Sequence, residues 1–293
     1  MSVASPLPNP ESEWSQDDIL GVTRDEIVER IGSLDAPIQI FSGGHANSNV
    51  RIGGDRVLRI YRRDETSIEK EKRLLETEWA SFRSPKVLEQ GSDFLLMEFV
   101  PHEPLLGSRE HGAAIGRALV EIHATAFEQC GFLAEDAGHV EQPFDGFVDA
   151  ALGHLHAMDG LAPEIRDPVS SELESCRQEL ESLAASPVLL HGDFKVSNLH
   201  WAADGRPLVL DWEFAWSGPA LADVGQLFRW EPPADFRLGF MSAYRAAGGE
   251  LPDDWLTWAS RLDLINMIGL LERAEPGTRR YKDIFGRIRK AVS

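Results

Sequence analysis

Two short stretches decide the interpretation of this chain: residues 191–199 read HGDFKVSNL and residues 209–213 read VLDWE. They supply an acid (Asp193), an amide (Asn198) and, after a short predicted hairpin, a second acid (Asp211). A phosphoryl-transfer site needs one group that orients the attacking hydroxyl and oxygen ligands that hold Mg²⁺ on the nucleotide phosphates. Asp193 can accept or orient the hydroxyl proton, and Asn198 and Asp211 can supply the metal oxygens. The pattern therefore indicates a phosphoryl-transfer site.

Apolar segments precede both stretches and predict how they are held. Residues 187–190 read PVLL and residues 207–210 read PLVL. Short apolar runs bounded by turn residues are typical of buried strands. We therefore expect two strands that carry the acid, the amide and the second acid rigidly.

The overall composition is that of a globular protein. The chain has 293 residues, 43% of them hydrophobic, which suffices for one large domain or two lobes with ample core. No apolar run approaches the roughly 20 residues that span a bilayer. Met1–Trp14 lacks the basic start and apolar centre of a signal peptide, and Cys130 and Cys176 are too few for a disulfide framework. We therefore expect a cytoplasmic protein.

The charge balance restricts the possible partners. The net charge of −19 disfavours nucleic acid and anionic membrane. It is compatible with a cationic small substrate, although general solubility explains the same surplus of acids. The sequence gives no indication of the oligomeric state.

The hydrophobic periodicity divides the chain into three parts. Residues 1–22 are rich in Pro, Ser and acid, and we expect a loose tail there. Residues 23–100 begin with a short helix capped by Thr23 and continue with the two-residue period of an antiparallel sheet, interrupted by one charged helix. Residues 101–293 show mainly the three- to four-residue spacing of helices. Helices are predicted over residues 108–126, 145–158, 164–184, 234–247 and 253–272. The predicted fold class is α+β, with a small β-rich lobe joined near Pro101 to a larger helical lobe.

The motifs, in this order and spacing, resemble those of the aminoglycoside phosphotransferase family within the protein-kinase-like superfamily. The strongest elements are His-Gly-Asp-x-x-x-x-Asn at 191–198 and Asp-Trp-Glu at 211–213, followed by Gly218-Pro219 and Asp223-Val224-Gly225. The resemblance covers about residues 38–230. It implies a protein-kinase-like bilobal fold, ATP or GTP as donor, Mg²⁺, and phosphorylation of a hydroxyl on a small molecule.

The resemblance also implies roles for the residues of the two stretches. Asp193 would be the catalytic base, and Asn198 and Asp211 would bind magnesium. His191 would shape the loop by bonding to backbone or to a buried acid, and Asp223 would brace the loop from the following helix.

Lys195 departs from the common family pattern, in which this position is often His. In protein kinases, a Lys two residues beyond the catalytic Asp approaches the transferred phosphate. We therefore expect Lys195 to act in catalysis by offsetting the charge that builds on the phosphoryl oxygens. A solvated lysine at the mouth of the cleft is the alternative.

The small lobe offers candidate nucleotide contacts. Arg59 lies on the strand that, in the superfamily, directs a basic side chain to the α- and β-phosphates. Glu71 is the predicted acid partner on the next helix, with Glu69 the weaker candidate. The phosphate-covering turn of the family is matched by Gly43, Gly44, Asn47 and Ser48.

A hinge between the lobes is the other candidate nucleotide contact. Residues 97–100 read MEFV, and the family implies that this backbone pairs with the purine edge. The predicted contacts are Met97, Glu98 and Val100, and the side chain of Met97 is expected to belong to the core.

The acceptor is less well defined by sequence. Acids that could meet amino groups of an acceptor are Glu213, Asp263, Glu272 and Glu275, and flat walls could come from Trp216, Trp230, Trp255 or Trp258. The segment at 211–218, Asp-Trp-Glu-Phe-Ala-x-Ser-Gly, most resembles the branch of the family that holds peptide-antibiotic (viomycin- or capreomycin-like) phosphotransferases. This resemblance implies a tuberactinomycin-type acceptor, and an aminoglycoside is the other antibiotic candidate. Two alternatives stay open: a metabolic kinase for choline, homoserine, methylthioribose or a sugar, and a non-catalytic nucleotide-binding regulatory protein.

Overall fold

The computed structural model describes residues 4–14, 21–41, 47–158 and 160–292. Gly43 and Gly44 of the predicted phosphate-covering turn lie outside the described residues. The fold is α+β with two lobes, as predicted.

The small lobe is built on an antiparallel five-stranded sheet in the order β1-β2-β3-β5-β4. Its strands are β1 (Ile38–Ile40), β2 (Asn47–Ile52), β3 (Arg56–Tyr61), β4 (Val87–Gln90) and β5 (Phe94–Glu98). Helix α1 (Arg24–Ile31) precedes the sheet. Thr23 caps α1 in a reciprocal capping box with Glu26, which satisfies amide groups at the helix start.

Strand β3 separates the two faces of this sheet because successive side chains alternate. Leu58 and Ile60 pack with Ile27 of α1 in the outer core of the lobe. Arg59 and Tyr61 face the other way, towards helix α2 (Ser67–Leu75). Successive side chains of β3 therefore lie on opposite faces of the sheet.

The large lobe is mainly helical. Its helices are α3 (Arg109–His123), α4 (Phe147–His156), α5 (Pro163–Ser175), α6 (Arg177–Ala184), α7 (Leu221–Phe228), α8 (Ala234–Ala246), α9 (Trp255–Glu272) and α10 (Arg279–Ala291). The single helix predicted over 164–184 is wrong, because the chain bends at Cys176 so that α5 and α6 both pack on α4. Within the described ranges, no helix combines the length and apolarity that a bilayer span requires.

Two small sheets in the large lobe position the central loop. One has the order β11-β10-β6 and the other β8-β7-β12-β9. Their strands are β6 (His102–Pro104), β7 (Gly131–Leu133), β8 (Val140–Pro143), β9 (Val188–Leu190), β10 (Leu199–Ala202), β11 (Pro207–Val209) and β12 (Trp216–Gly218). Strand β9 ends directly before His191, and the β10–β11 hairpin follows Asn198. Both ends of the loop are thereby tied to a sheet.

The expectation of a loose tail is wrong for residues 4–14, which we call the N-terminal strap. Leu7 and Trp14 are buried, and the Leu7 amide donates to the Leu105 carbonyl at 2.8 Å. Residues Pro10–Glu13 form one 3₁₀ turn on the large lobe. Burying a Leu stabilises by about 1.5–3 kcal/mol, which explains how a polar stretch with two large apolar side chains becomes ordered.

Candidate active site

The loop that follows β9 is anchored by a buried carboxylate. The Asp223 side chain, on α7, accepts hydrogen bonds from the amides of His191 (2.8 Å) and Gly192 (3.0 Å). The His191 ring joins the loop to β11: its Nδ1 accepts from the Asp193 amide at 3.2 Å, so its Nε2 donates to the Leu210 carbonyl at 2.9 Å. These contacts place the Asp193 backbone next to the end of β11.

Asp193 and Asn198 meet across this loop. The Asn198 Nδ2 group donates to both the backbone carbonyl and the Oδ2 atom of Asp193, each at 2.9 Å. Lys195 Nζ lies 3.1 Å from the same Oδ2. Among the described residues, both side-chain contacts of the carboxylate use one oxygen, and the other oxygen is available to an incoming hydroxyl. The Asn198 amide oxygen is likewise left as a possible cation ligand.

Asp211 lies beside Asn198, because the Leu210 amide donates to the Asn198 carbonyl at 3.0 Å. The backbone of Asp211 has a φ of +72°, in the left-handed region that costs a non-glycine residue about 1–2 kcal/mol. Such backbone strain concentrates at functional sites. Here it turns the carboxylate towards the small lobe, where Oδ1 lies 2.5 Å from Arg59 Nη2.

Arg59 is the centre of a buried ionic cluster. Besides Asp211, its guanidinium pairs with Glu71 on α2 at 3.3 Å and with Glu213 at 3.0 Å. The Tyr61 hydroxyl donates to Glu71 as well. Of the two predicted acids, Glu71 is the one beside Arg59, whereas the exposed Glu69 bonds to Gln90. One cation therefore faces three carboxylates.

The surplus of acids changes their protonation. Burial raises the pKa of Glu213 to about 7; Arg59 opposes this increase, and Asp211 and Glu71 add to it. Burial also acts to raise the pKa of Asp211, but the adjacent Arg59 outweighs it and lowers this pKa. Asp211 is therefore the carboxylate of the cluster that stays ionised most readily.

The donor set suits Mg²⁺ bound together with phosphates. Mg²⁺ prefers oxygen ligands and is usually held by one or two carboxylates plus substrate phosphates. Asp211 offers an ionised carboxylate, and Asn198 offers an amide oxygen next to it. In the part of the chain that the structure describes, no group of three or more His, Cys, Asp or Glu is arranged to hold a metal alone. The residues thus fit a metal that arrives with a nucleotide.

Two predicted phosphate contacts, Asn47 and Ser48, lie in a strand and not in a turn. Asn47 and Ser48 are buried strand residues at the start of β2, because the ladder with β3 extends to the pairs Asn47–Tyr61 and Ser48–Ile60. The Asn47 Nδ2 group donates to Glu213 at 2.7 Å. Asn47 thus joins the ionic cluster and lies in a strand, and its contact with phosphate stays a prediction.

The predicted hinge begins with the last two residues of β5 and continues beyond the strand. Met97 is buried in the main core, as expected for its side chain, and Glu98 pairs with Arg83 at 3.1 Å. The Glu98 amide donates to the Lys86 carbonyl at 2.9 Å. The Val100 amide has no acceptor among the described residues, so it is the hinge group that could donate to a purine.

Two residues near Asp193, Glu11 and Arg229, were not among the site residues predicted from the sequence. Lys195 Nζ lies 3.3 Å from Glu11 of the N-terminal strap, and Glu11 pairs in turn with Arg229 at 3.0 Å. Arg229 also makes a bidentate pair with Asp263 at 2.7 and 2.8 Å. Charge alone could not reveal these contacts, because Glu11 lies in a stretch whose composition is typical of a tail.

Several residues expected at the acceptor are used elsewhere. Glu213 and Asp263 are buried in the ion pairs described above, so neither presents a free carboxylate to an acceptor. Trp255 is buried against Phe228. Glu272 and Glu275 are exposed. The remaining tryptophans of the set, Trp216, Trp230 and Trp258, contact Phe147, Trp14 and Arg261.

A basic–acidic pair in a β-rich lobe, opposite an acid–amide–acid set in a helical lobe, defines a phosphotransferase of the protein-kinase-like class. A model of the phosphotransferase enzyme family (APH) matches residues 37–259, and the chain belongs to this family. Both the fold and the family resemblance predicted from sequence are confirmed. No curated protein sequence matches the chain.

Solved structures of several phosphotransferases share this fold at low identity. The GDP and kanamycin complex of APH(2″)-IIIa is 14% identical with a TM-score of 0.68, covering 90% of this chain and 96% of its own. The macrolide 2′-phosphotransferase MphH from Brachybacterium faecium is 17% identical with a TM-score of 0.61, covering 90% and 95%. A putative fructosamine-3-kinase from Thermobifida fusca is 17% identical with a TM-score of 0.66, covering 93% and 99%. The antibiotic phosphotransferases and the fructosamine-3-kinase are thus similar to this chain to about the same degree, in both sequence identity and TM-score.

Proposed function

We propose that this protein transfers the γ-phosphoryl group of ATP or GTP to a hydroxyl of a small molecule in the cytoplasm. The observation that carries the proposal is the contact of Asp193 with Asn198, next to which the chain continues into Asp211 and its partner Arg59. In the described part of the chain, no residue contacts the second oxygen of the Asp193 carboxylate. A base that must receive a proton needs such an oxygen within reach of the hydroxyl.

The reaction we propose is a direct in-line transfer. Asp193 takes the proton of the acceptor hydroxyl while the hydroxyl oxygen forms a bond to the γ-phosphorus. The bond between the γ-phosphorus and the β–γ bridging oxygen breaks at the same time, which leaves the phosphorylated acceptor and ADP or GDP. Lys195 offsets charge on the transferring oxygens. When bound, Mg²⁺ supplies charge neutralisation on the phosphates, and Asn198 and Asp211 are the residues that would hold it.

Arg59 has two possible sets of partners in this scheme. Without nucleotide it neutralises Asp211, Glu71 and Glu213. A planar guanidinium can pair with phosphate as well as with carboxylate. We infer that the nucleotide phosphates replace Asp211 at one edge of the Arg59 guanidinium, while Glu71 stays paired with the other edge. This replacement frees the Asp211 carboxylate to bind the metal.

The acceptor class is the finer part of the proposal. Kanamycin appears in one structural relative and a macrolide and a fructosamine are the named substrates of others, but at 14–17% identity these likenesses show the fold alone. The net charge of −19 supports a cationic acceptor. An aminoglycoside or tuberactinomycin-type antibiotic is our first candidate, and a cationic metabolite such as an amino sugar is the second.

A screen of nucleotide release tests the proposal. Both ATP and GTP are offered with Mg²⁺ across aminoglycosides, tuberactinomycins, macrolides and hydroxylated metabolites, and the diphosphate formed is measured by a coupled assay. We expect acceptor-dependent release that Asp193→Asn lowers at least about a hundredfold, the lower range for loss of a general base. Tight MgATP binding without any release would contradict the proposal and favour a regulatory nucleotide-binding protein.

A further inference from the structure

The N-terminal strap reaches the catalytic loop through one side chain. Its backbone is fixed at Leu7, and Trp14 packs edge-on against Trp230 with ring centres 5.8 Å apart. Trp14 Nε1 also donates to Asp283 at 3.1 Å. Between these two anchors, the Glu11 carboxylate is 9% exposed and points at Lys195.

The two oxygens of Glu11 have different partners. Oε1 accepts from Arg229 Nη1 and from Trp230 Nε1, both at 3.0 Å. Oε2 lies 3.3 Å from Lys195 Nζ. One oxygen is therefore fixed by the large lobe, and the other is presented to the ammonium group.

Arg229 is itself held in place, which makes the anchor rigid. Its Nε and Nη2 atoms donate to the two oxygens of Asp263, and its side chain is 3% exposed. Charges then alternate from Asp263 through Arg229, Glu11 and Lys195 to Asp193. Burial alone would raise the pKa of Glu11, but Lys195 and Arg229 outweigh it and lower this pKa to about 2, so Glu11 is ionised.

We propose that Glu11 is a positioning residue for phosphoryl transfer, which holds the Lys195 ammonium beside Asp193 at the point where the phosphoryl group passes. The inference rests on the proposed function. A lysine side chain is long and flexible, and fixing it between two carboxylates removes the rotamers in which it points away. Without Glu11, Asp193 alone would hold the ammonium, and the Lys195 side chain would regain rotamers in which it points away from the transferring phosphoryl group.

Kinetics of Glu11→Gln test the proposal, with Glu13→Gln as the matched control. Glu13 is on the same strap, but its carboxylate pairs with the half-exposed Arg279 on the surface. We expect Glu11→Gln to lower kcat about tenfold, a typical cost of misplacing a group that acts on the reaction. The KM for nucleotide should stay within about twofold. Glu13→Gln should change neither. A kcat for Glu11→Gln that equals or exceeds that of the wild type would overturn the proposal.

A double-mutant cycle separates positioning from mere structural support. If Glu11 acts through Lys195, the variant with both Glu11→Gln and Lys195→Ala is no slower than Lys195→Ala alone. Independent, multiplicative losses would mean that Glu11 does not act through Lys195 and would overturn the proposal. Thermal unfolding of each variant checks that it is folded at the assay temperature.

A readout without any acceptor distinguishes this inference from the proposed function. The chain has six lysines, so the ammonium resonances in a ¹⁵N–¹H spectrum are assignable by single Lys→Arg changes. We expect Glu11→Gln to shift the Lys195 resonance and accelerate its exchange with water, and Glu13→Gln to leave it in place. An unchanged Lys195 resonance overturns the inference even if the wild type transfers phosphate. If that resonance shifts but the wild type transfers nothing, the contact stands, and the proposed function and the catalytic role of Glu11 both fail.

Discussion

Arg59 on β3 and Asp211 after β11 form an ion pair of 2.5 Å that joins the two lobes across the cleft. Each residue is held in place independently. Arg59 is fixed by Glu71 and Glu213, and Asp211 by its left-handed backbone and the adjacent Leu210–Asn198 hydrogen bond. The separation of the lobes is thereby set at the point where a nucleotide phosphate and its metal would enter.

Replacing Arg59 is expected to destabilise the protein strongly. Arg59→Met would leave the buried Glu71 and Glu213 and the half-buried Asp211 without a cation, at a cost of about 3–5 kcal/mol in the free energy of unfolding. The free energy of unfolding of Arg59→Lys should lie between those of the wild type and Arg59→Met, because an ammonium keeps the charge but cannot span three carboxylates. Urea denaturation measures both variants.

The control for Arg59 is Arg177→Met. Arg177 also pairs with two acids, Glu174 and Asp149, but on the surface. Water screens both charges of a surface pair, so this variant should change the free energy of unfolding far less than Arg59→Met does. Equal losses for Arg59→Met and Arg177→Met would contradict the buried cluster.

Lys195→Ala is expected to lower turnover more than nucleotide affinity. The ammonium lies 3.1 Å from Asp193, where charge changes during transfer rather than in the ground state. Loss of one such electrostatic contact costs about 10²–10³ in kcat, while the Kd for nucleotide should change by less than about threefold. Turnover by coupled assay and Kd by titration decide the prediction. Wild-type turnover in the variant would show that Lys195 is only a cation at the cleft.

The stabilisation by Glu11 is expected to depend on pH. Its pKa is lowered from 4.5 to about 2 in the folded protein, so its contribution is complete above about pH 4.5 and is lost as the pH falls towards 2. Above pH 4.5, Glu11→Gln should therefore lower the free energy of unfolding by roughly 3 kcal/mol, because a shift of one pKa unit corresponds to 1.36 kcal/mol. The difference in unfolding free energy from wild type should shrink steadily below that pH. A difference that is the same near pH 7 and near pH 3 would refute the ion pair.

Local sequence determines much of this site. Asp193 and Asn198 are separated by a fixed short loop, so their meeting follows from spacing. Arg59 faces the cleft because alternation along β3 leaves no other face once Leu58 and Ile60 enter the core. These relationships are short-range or follow from a single period, so local sequence is sufficient to explain them.

The contacts around Lys195 follow from no such rule. Glu11 and Arg229 are 218 residues apart and meet only because the N-terminal strap lies across the large lobe. The strands β6 and β7 have three residues each, too few to show a two-residue period. Asn47 was expected in a turn because glycines precede it, but pairing with Tyr61 draws it into β2. In each case tertiary packing outweighs local composition.

Gly192→Ala is expected to disrupt the catalytic loop through a steric clash. A Cβ at this position would lie 2.0 Å from the Phe214 carbonyl oxygen, and the φ of Gly192 is +80°. Gly205, in the β10–β11 hairpin, has a nearly identical φ of +82° with nothing within 4 Å of its added Cβ. Gly205→Ala should therefore lower the free energy of unfolding only by the conformational strain of about 1–2 kcal/mol. Gly192→Ala should lower it clearly more. It should also lower kcat at least about tenfold, because the Asp193 backbone must shift. Urea denaturation and the coupled assay measure the pair together. If both variants lost the same stability and the same turnover, the contact between Gly192 and Phe214 would have no part in placing Asp193.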